Sequence, residues 1–233
     1  TPGVIAIDGR GRARRFADLP GVRPNGIAFD NVGRFGRRLL VTAAARGRTT
    51  VFSIDCHRQV KMLSSNAPPL EGGVVVAPKS FGRFAGHLIA PDELTGRIWA
   101  IGPDGSARLV ARSPLPSGQD IGVESAAFVP AGFGPGWGAY VADRGTPRNP
   151  HPGTNSILRL SAADFVGAGV GPGDLVIANE GGAQTIVVHC GRTCTVRHIA
   201  DGPRTSHIEG HVVFVEGLGW IFPADLSRDP RRP

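Results

Sequence analysis

Short apolar runs separated by glycine, proline and polar turns recur along the whole chain, and five of them share one pattern. They are Leu40-Val41-Thr42-Ala43, Leu88-Ile89-Ala90-Pro91-Asp92, Tyr140-Val141-Ala142-Asp143, Val176-Ile177-Ala178-Asn179-Glu180 and Ile221-Phe222-Pro223-Ala224-Asp225. Aligned on the third residue of each, they stand at 42, 90, 142, 178 and 223, a degenerate repeat of roughly 45 residues. Runs this short, rich in β-branched residues and bounded by turn formers, predict strands. Strands repeated at this period predict an all-β fold of the β-propeller type, whose four-stranded blades bury their faces against neighbouring blades.

With the strands of a blade lettered A to D from the inside out, residues 25–29, 39–43, 50–55 and 60–64 supply one complete set. The next set is 71–76, 87–91, 97–101 and 107–111, with the turn Pro103-Asp104-Gly105 between its last two strands. A third begins at 124–128 and continues with 139–143 and 156–160. At the chain ends, 4–8 and 14–18 read as strands C and D without their A and B, and 211–215 and 220–223 read as the missing pair. One blade closed by both termini is therefore expected, which would remove the free sheet edges. The segment 161–169 fits neither a D nor an A strand and reads as one helical turn. The count gives a five-bladed propeller spanning 1–233 as a single domain, about 18 strands where five full blades need 20; a sixth blade would require residues before Thr1.

Composition agrees with this picture. The 34 Gly and 20 Pro demand many tight turns and leave little room for long helices. No run approaches the roughly 20 apolar residues of a membrane-spanning helix. The formal net charge of +7 raises the question of nucleic acid, but all of the 26 basic residues except Lys61 and Lys79 are Arg, an imbalance typical of codon bias. The densest clusters, 10–15 and 34–38, lack interleaved aromatics and match no DNA-binding motif, so nucleic acid is not expected as a partner. A small-molecule substrate or ligand and a monomeric state are expected instead.

Cys190 and Cys194 end adjacent strand-like runs joined by Gly191-Arg192-Thr193, and a hairpin there would bring the sulfurs within bonding reach. A CxxxC zinc site is the rival reading, and no second cysteine pair supports it. Cys56 is left over. A disulfide and a start at Thr1 fit a processed, secreted or extracytoplasmic protein.

Side chains alternate along a strand, so reading the A strands in register places Asn25, Glu71, Glu124 and Glu209 at one level around a central channel. Ile27, Gly73, Ala126 and His211 lie one level deeper. Three carboxylates and an amide converging on one axis raise one another's pKa or demand a cation. Oxygen donors of this kind favour Ca²⁺, with Mg²⁺ or Mn²⁺ as alternatives, over softer metals. His211 stands to serve as a general base on a metal-held substrate or water, and His207 in the preceding loop shares that role. The competing reading is a polar channel in which these Glu residues cap amides or pair with Arg.

Of the other histidines, His57, His87, His189 and His198 read as surface or strand-edge residues. The Pro-rich loop 144–153 is a candidate lid, or ordinary insertion drift. The nucleophile elbow, the Walker loop, the dinucleotide fingerprint and HExxH are all missing, which leaves a serine-nucleophile mechanism unsupported.

At Asn25-Gly26-Ile27-Ala28-Phe29, Glu71-Gly72-Gly73 and turns such as Gly102-Pro103-Asp104-Gly105, the chain resembles the senescence marker protein and gluconolactonase superfamily, which includes strictosidine synthase-like and NHL-type propellers. The resemblance is spread over most of the chain. It implies a propeller holding a divalent metal, usually Ca²⁺, through Glu, Asn and Asp side chains at inner-strand starts. By position Asn25 matches the family's metal-binding Asn, and Glu71, Glu124 or Glu209 its Glu; the family's Asp has no counterpart. The implied function is an exported, divalent-metal-dependent hydrolase of the lactonase type. The alternatives are a non-catalytic propeller that binds a glycan, peptide or metabolite, and a lyase or cyclase of secondary metabolism.

Overall fold

The structure is a computed structural model and describes residues 1–216. In chain order the strands are β1 (Gly3–Ile7), β2 (Ala13–Asp18), β3 (Arg23–Phe29), β4 (Leu39–Ala45), β5 (Arg48–Ile54), β6 (Val60–Ala67), β7 (Val75–Val76), β8 (Leu88–Asp92), β9 (Arg97–Ile101) and β10 (Ala107–Arg112). There follow β11 (Val123–Phe128), β12 (Gly138–Asp143), β13 (Ser156–Ser161), helix α1 (Ala162–Gly167), β14 (Leu175–Asn179), β15 (Thr185–Cys190), β16 (Cys194–Ala200) and β17 (Ile208–Val215).

These strands form an all-β, propeller-like arrangement of antiparallel sheets. The order is β3-β4-β5-β6 in one sheet, β7-β8-β9-β10 in the next, β11-β14-β15-β16 in the third and β17-β12-β13 in the fourth, with β1-β2 as a separate pair. Apolar clusters lie between successive sheets. Leu40, Val51, Leu88 and Ile101 join the first two; Ile89, Ile98, Val123, Ile177 and Ile186 join the second and third; Val141, Val176, Val187 and Ile208 join the last two. The second strands β8 and β14 are covered on both faces, which is why they are buried at every residue and read in sequence as continuous apolar runs.

The expectation of five or six blades is overturned: the described residues build four, of three or four strands each, beside the two-stranded β1-β2 pair. The reason is a change of partner. β11 does not pair with β12, as chain order suggests, but with β14, in the register Ala126↔Ile177 and Phe128↔Leu175. This leaves the inner edge of β12 with unpaired backbone groups, and β17 fills it, with Ala139 opposite Phe214 and Tyr140 opposite Val213. Residues 211–215 are thereby used inside the fourth blade, so they do not close a blade with the N-terminus. The other expected closing strand, 220–223, lies outside the described residues.

The fourth blade has no fourth strand among the described residues. After β13 the chain turns into α1, whose N-terminus carries a capping box in which Ser161 and Asp164 exchange side-chain-to-backbone hydrogen bonds. Phe165 anchors the helix in the core, packed edge-on against Phe133. The expected helical turn is therefore present, and it explains the shortfall in strands. At the β15-β16 hairpin, Cys190 and Cys194 face each other in the ladder and form a disulfide; Cys56 is free and exposed. No helix among the described residues is long and apolar enough to cross a membrane.

Candidate acidic centre

Acidic residues from three blades gather where β7, β11 and β17 begin and where β8 and β14 end. Glu71 precedes β7, Glu93 follows β8, Glu124 lies in β11, Glu180 follows β14 and Glu209 lies in β17. Two features of the backbone bring the first three together. A Cβ on Gly73 would fall 2.3 Å from the Glu124 carbonyl oxygen, so only glycine lets the Glu71 segment lie directly on β11. A Cβ on Gly122 would fall 2.1 Å from the Glu93 carbonyl oxygen, and glycine there lets the end of β8 reach the start of β11. The fourth blade is tied in by the backbone: the Glu180 amide donates to the Gly122 carbonyl at 2.8 Å and the Ile208 amide to the Glu180 carbonyl at 2.9 Å.

Two groups of donor atoms result, each with its members within 4.8 Å of one another: Glu71, Glu93 and Glu124, and Glu180, His207 and Glu209. His207 Nε2 lies 2.9 Å from a Glu180 oxygen and 3.4 Å from a Glu209 oxygen. The groups adjoin, because Glu93 and Glu180 lie near enough to shift each other's acidity, as Glu71 and Glu124 do.

Burial is the main cause of the unusual acidity here, and mutual repulsion adds to it. Glu124, 5% exposed, is pushed up to about 10 by burial and then by Glu71. Glu180, 6% exposed, rises to about 9 through burial and its contact with Glu93. Glu71 rises to about 7 by burial and then by Glu93, and burial also raises Glu93. Relief comes from few sources. Arg144 donates to a Glu209 oxygen at 2.7 Å, and the Asp120 amide donates to Glu93 at 3.1 Å. A group of carboxylates so poor in positive charge retains protons or takes up a cation.

The donor chemistry fits a hard divalent cation. Glu71, Glu93 and Glu124 offer only carboxylate oxygen, as Ca²⁺, Mg²⁺ or Mn²⁺ prefer, and nothing in the set selects Ca²⁺. His207 is 2% exposed, and among the described residues its Nδ1 has no hydrogen-bond partner, so there the ring is held through Nε2.

Of the residues singled out in the sequence, Glu71, Glu124, Glu209 and His207 belong to this centre, and Asn25 and His211 do not belong to either group. Asn25 braces the scaffold: its Nδ2 donates to the Leu70 carbonyl at 2.8 Å and its Oδ1 accepts from Thr42 Oγ1 at 3.0 Å. His211 points its Nε2 at the Val74 carbonyl, 3.1 Å away. The sequence reading missed Glu93 and Glu180. The signal was present, because each is the residue after a buried polar side chain closing the second strand of a blade, Asp92 and Asn179. Arg144 stands in the same place after Asp143, and Asp92 and Asp143 are equivalent in accepting from Thr95 and Thr154.

Asp143 holds His207 in place. It is buried and accepts from the His207 amide at 2.8 Å, the Thr154 amide at 3.1 Å and Thr154 Oγ1 at 2.5 Å. Asp143→Ala strands these donors and is expected to lower the unfolding free energy in urea by about 3 kcal/mol, with Asp143→Asn retaining most of the loss.

Fold and centre together define a β-propeller-like protein with convergent acidic and histidine side chains able to chelate a metal. No protein-family model matches the chain, and no curated protein matches it in sequence, so a propeller-like fold is established and no specific family is.

Proposed function

We propose that this protein is a divalent-metal-dependent hydrolase of the lactonase type that works outside the reducing cytoplasm. The observation that carries this reading is the meeting of Glu71, Glu93 and Glu124 with Glu180, His207 and Glu209 at one end of the inner strands. Glu71, Glu93 and Glu124 hold the cation, Ca²⁺ in the simplest case and otherwise Mg²⁺ or Mn²⁺. When bound, that ion supplies Lewis-acid polarisation of a lactone or ester carbonyl. Glu180 gives up its retained proton beside the charge of a bound cation, and the freed carboxylate, held by His207 Nε2 at 2.9 Å, accepts the proton of the attacking water. Glu209 pairs with Arg144 beside them at 2.7 Å. His207 supports the reaction as a positioning residue, while His211 is engaged with the Val74 carbonyl. The Cys190–Cys194 disulfide is consistent with an oxidising compartment.

The test is metal analysis of the purified protein joined to a screen of γ- and δ-lactones and aryl esters. The expected result is hydrolysis abolished by EDTA and restored by Ca²⁺ or Mn²⁺, with Glu180→Gln lowering kcat by about 10²- to 10⁴-fold while metal content is kept. A protein that binds no divalent ion, or whose turnover is indifferent to EDTA, would overturn the reading.

A further inference from the structure

A cavity of about 780 Å³ opens beside Glu71, within the size range of small-molecule sites. Its lining includes Asn25, Leu70 and Glu71 together with Arg23, Arg46 and Arg48. The β4-β5 hairpin and the Glu71 segment are fixed to each other. Thr49 Oγ1 accepts from the Leu70 amide at 2.9 Å, and Asn25 bonds the Leu70 carbonyl at 2.8 Å, so the β4-β5 hairpin that bears Arg46 and Arg48 is bolted to the segment that presents Glu71.

The arginines are not explained by the fold. Arginine ion pairs among the described residues involve Arg12, Arg15 and Arg144, and none of these three. Arg46 and Gly47 form the two-residue connection of the hairpin with φ of 52° and 73°. That turn favours Asn-Gly, and a long β-carbon-bearing side chain in the left-handed region is disfavoured at its first position. A residue kept against local preference is a pointer to use of its side chain. Guanidinium groups offer the forked donors that suit carboxylate and phosphate.

We propose that this cavity is an anion subsite, and that Arg23, Arg46 and Arg48 bind a carboxylate or phosphate group carried by the substrate. The inference deepens the hydrolase reading and rests on it for the reacting carbonyl. The substrate is then an ester or lactone with a separate ionised oxyanion, gripped at the hairpin while its carbonyl reaches the centre past Glu71. A neutral substrate leaves these three cations without an ion-pair partner among the described residues.

The test needs no turnover, so it can fail or succeed independently of the hydrolase reading. Glutarate and inorganic phosphate are titrated separately into the metal-free protein by calorimetry, alongside the double variant Arg46→Asn, Arg48→Thr. Asparagine suits the left-handed turn position and threonine suits a strand, so the variant keeps its hairpin, which its melting temperature verifies. Saturable binding of one of the two anions, weakened at least tenfold in the variant, supports the subsite and tells carboxylate from phosphate. Absence of binding by both anions, or equal binding by the variant, overturns it.

Discussion

Replacing Glu124 by Gln is expected to abolish the response to divalent cations while leaving the metal-free protein as stable as the native chain or more so. Glu124 is the most buried of the five carboxylates and lies against Glu71, with Glu93, Glu180 and Glu209 near enough to repel it. The amide removes an oxygen donor whose charge the cation needs and, in the metal-free protein, removes a group that burial forces to stay protonated. The two effects have opposite signs, which separates a metal ligand from a merely structural acid. At an ion concentration a hundredfold above Kd, binding stabilises the native protein by about 2.7 kcal/mol. For a domain of this size that corresponds to a rise in Tm of roughly 5–10 °C. Thermal melts with and without Ca²⁺ or Mn²⁺ should show that rise in the native protein and none in Glu124→Gln. A variant that still responds fully, or a native protein that never does, would remove the centre as a metal site.

The second large effect is on pH dependence. Glu71, Glu180 and Glu124 have values of about 7, 9 and 10 in the folded protein against an ordinary 4.5. A carboxyl raised on folding favours the native state most when both states are protonated, below the unfolded value. As pH rises past 4.5 the unfolded chain ionises freely while the folded one must keep its protons, and stability is lost progressively through 7, 9 and 10. The Tm of the metal-free protein should therefore fall steadily from pH 5 to pH 10. A cation reverses the trend, because it takes the place of the protons and binds more tightly as they leave. The gap between metal-bound and metal-free Tm should widen with pH, and binding at pH 7 should release about two protons per ion, read from the dependence of calorimetric enthalpy on buffer. A metal-free Tm that is flat across this range would contradict the account.

Much of the fold was legible because it rests on local signals. The runs at 40–43, 88–92 and 176–180 are apolar at successive positions since they lie in second strands, β4, β8 and β14, covered on both sides there; the run at 140–143 lies in the second strand β12, where Tyr140 is half-buried and Ala142 exposed. The hairpin between Cys190 and Cys194 and the turn at α1 were likewise local. What could not be read was which first strand serves which blade. β11 and β17 are separated from β14 and β12 by long stretches of chain, and an inner strand carries no mark of its partner beyond being apolar. Assigning β11 to β12 by chain order produced the wrong blade count.

The candidate site divides along the same line. Glu71, Glu124 and Glu209 were visible because the expected strand periodicity put them at equivalent starts of inner strands, although in the structure Glu71 lies ahead of β7 rather than in it. Glu93 and Glu180 were not, because they follow strand ends, where direction is set by the turn and by neighbouring chains rather than by alternation. Asn25 matched a pattern, yet its amide is consumed by Thr42 and Leu70, contacts 17 and 45 residues away.

The sequence by itself determined that this chain is a repeated all-β protein with acidic residues at recurring strand starts, since apolar periodicity and turn residues act over a few positions. The tertiary structure decided the partner exchange of β11 and β17, the number of blades and the full membership of the acidic centre. Those depend on backbone hydrogen bonds and close glycine contacts between segments far apart in the chain, where the free energy of satisfying an open sheet edge outweighs the order in which the strands are made.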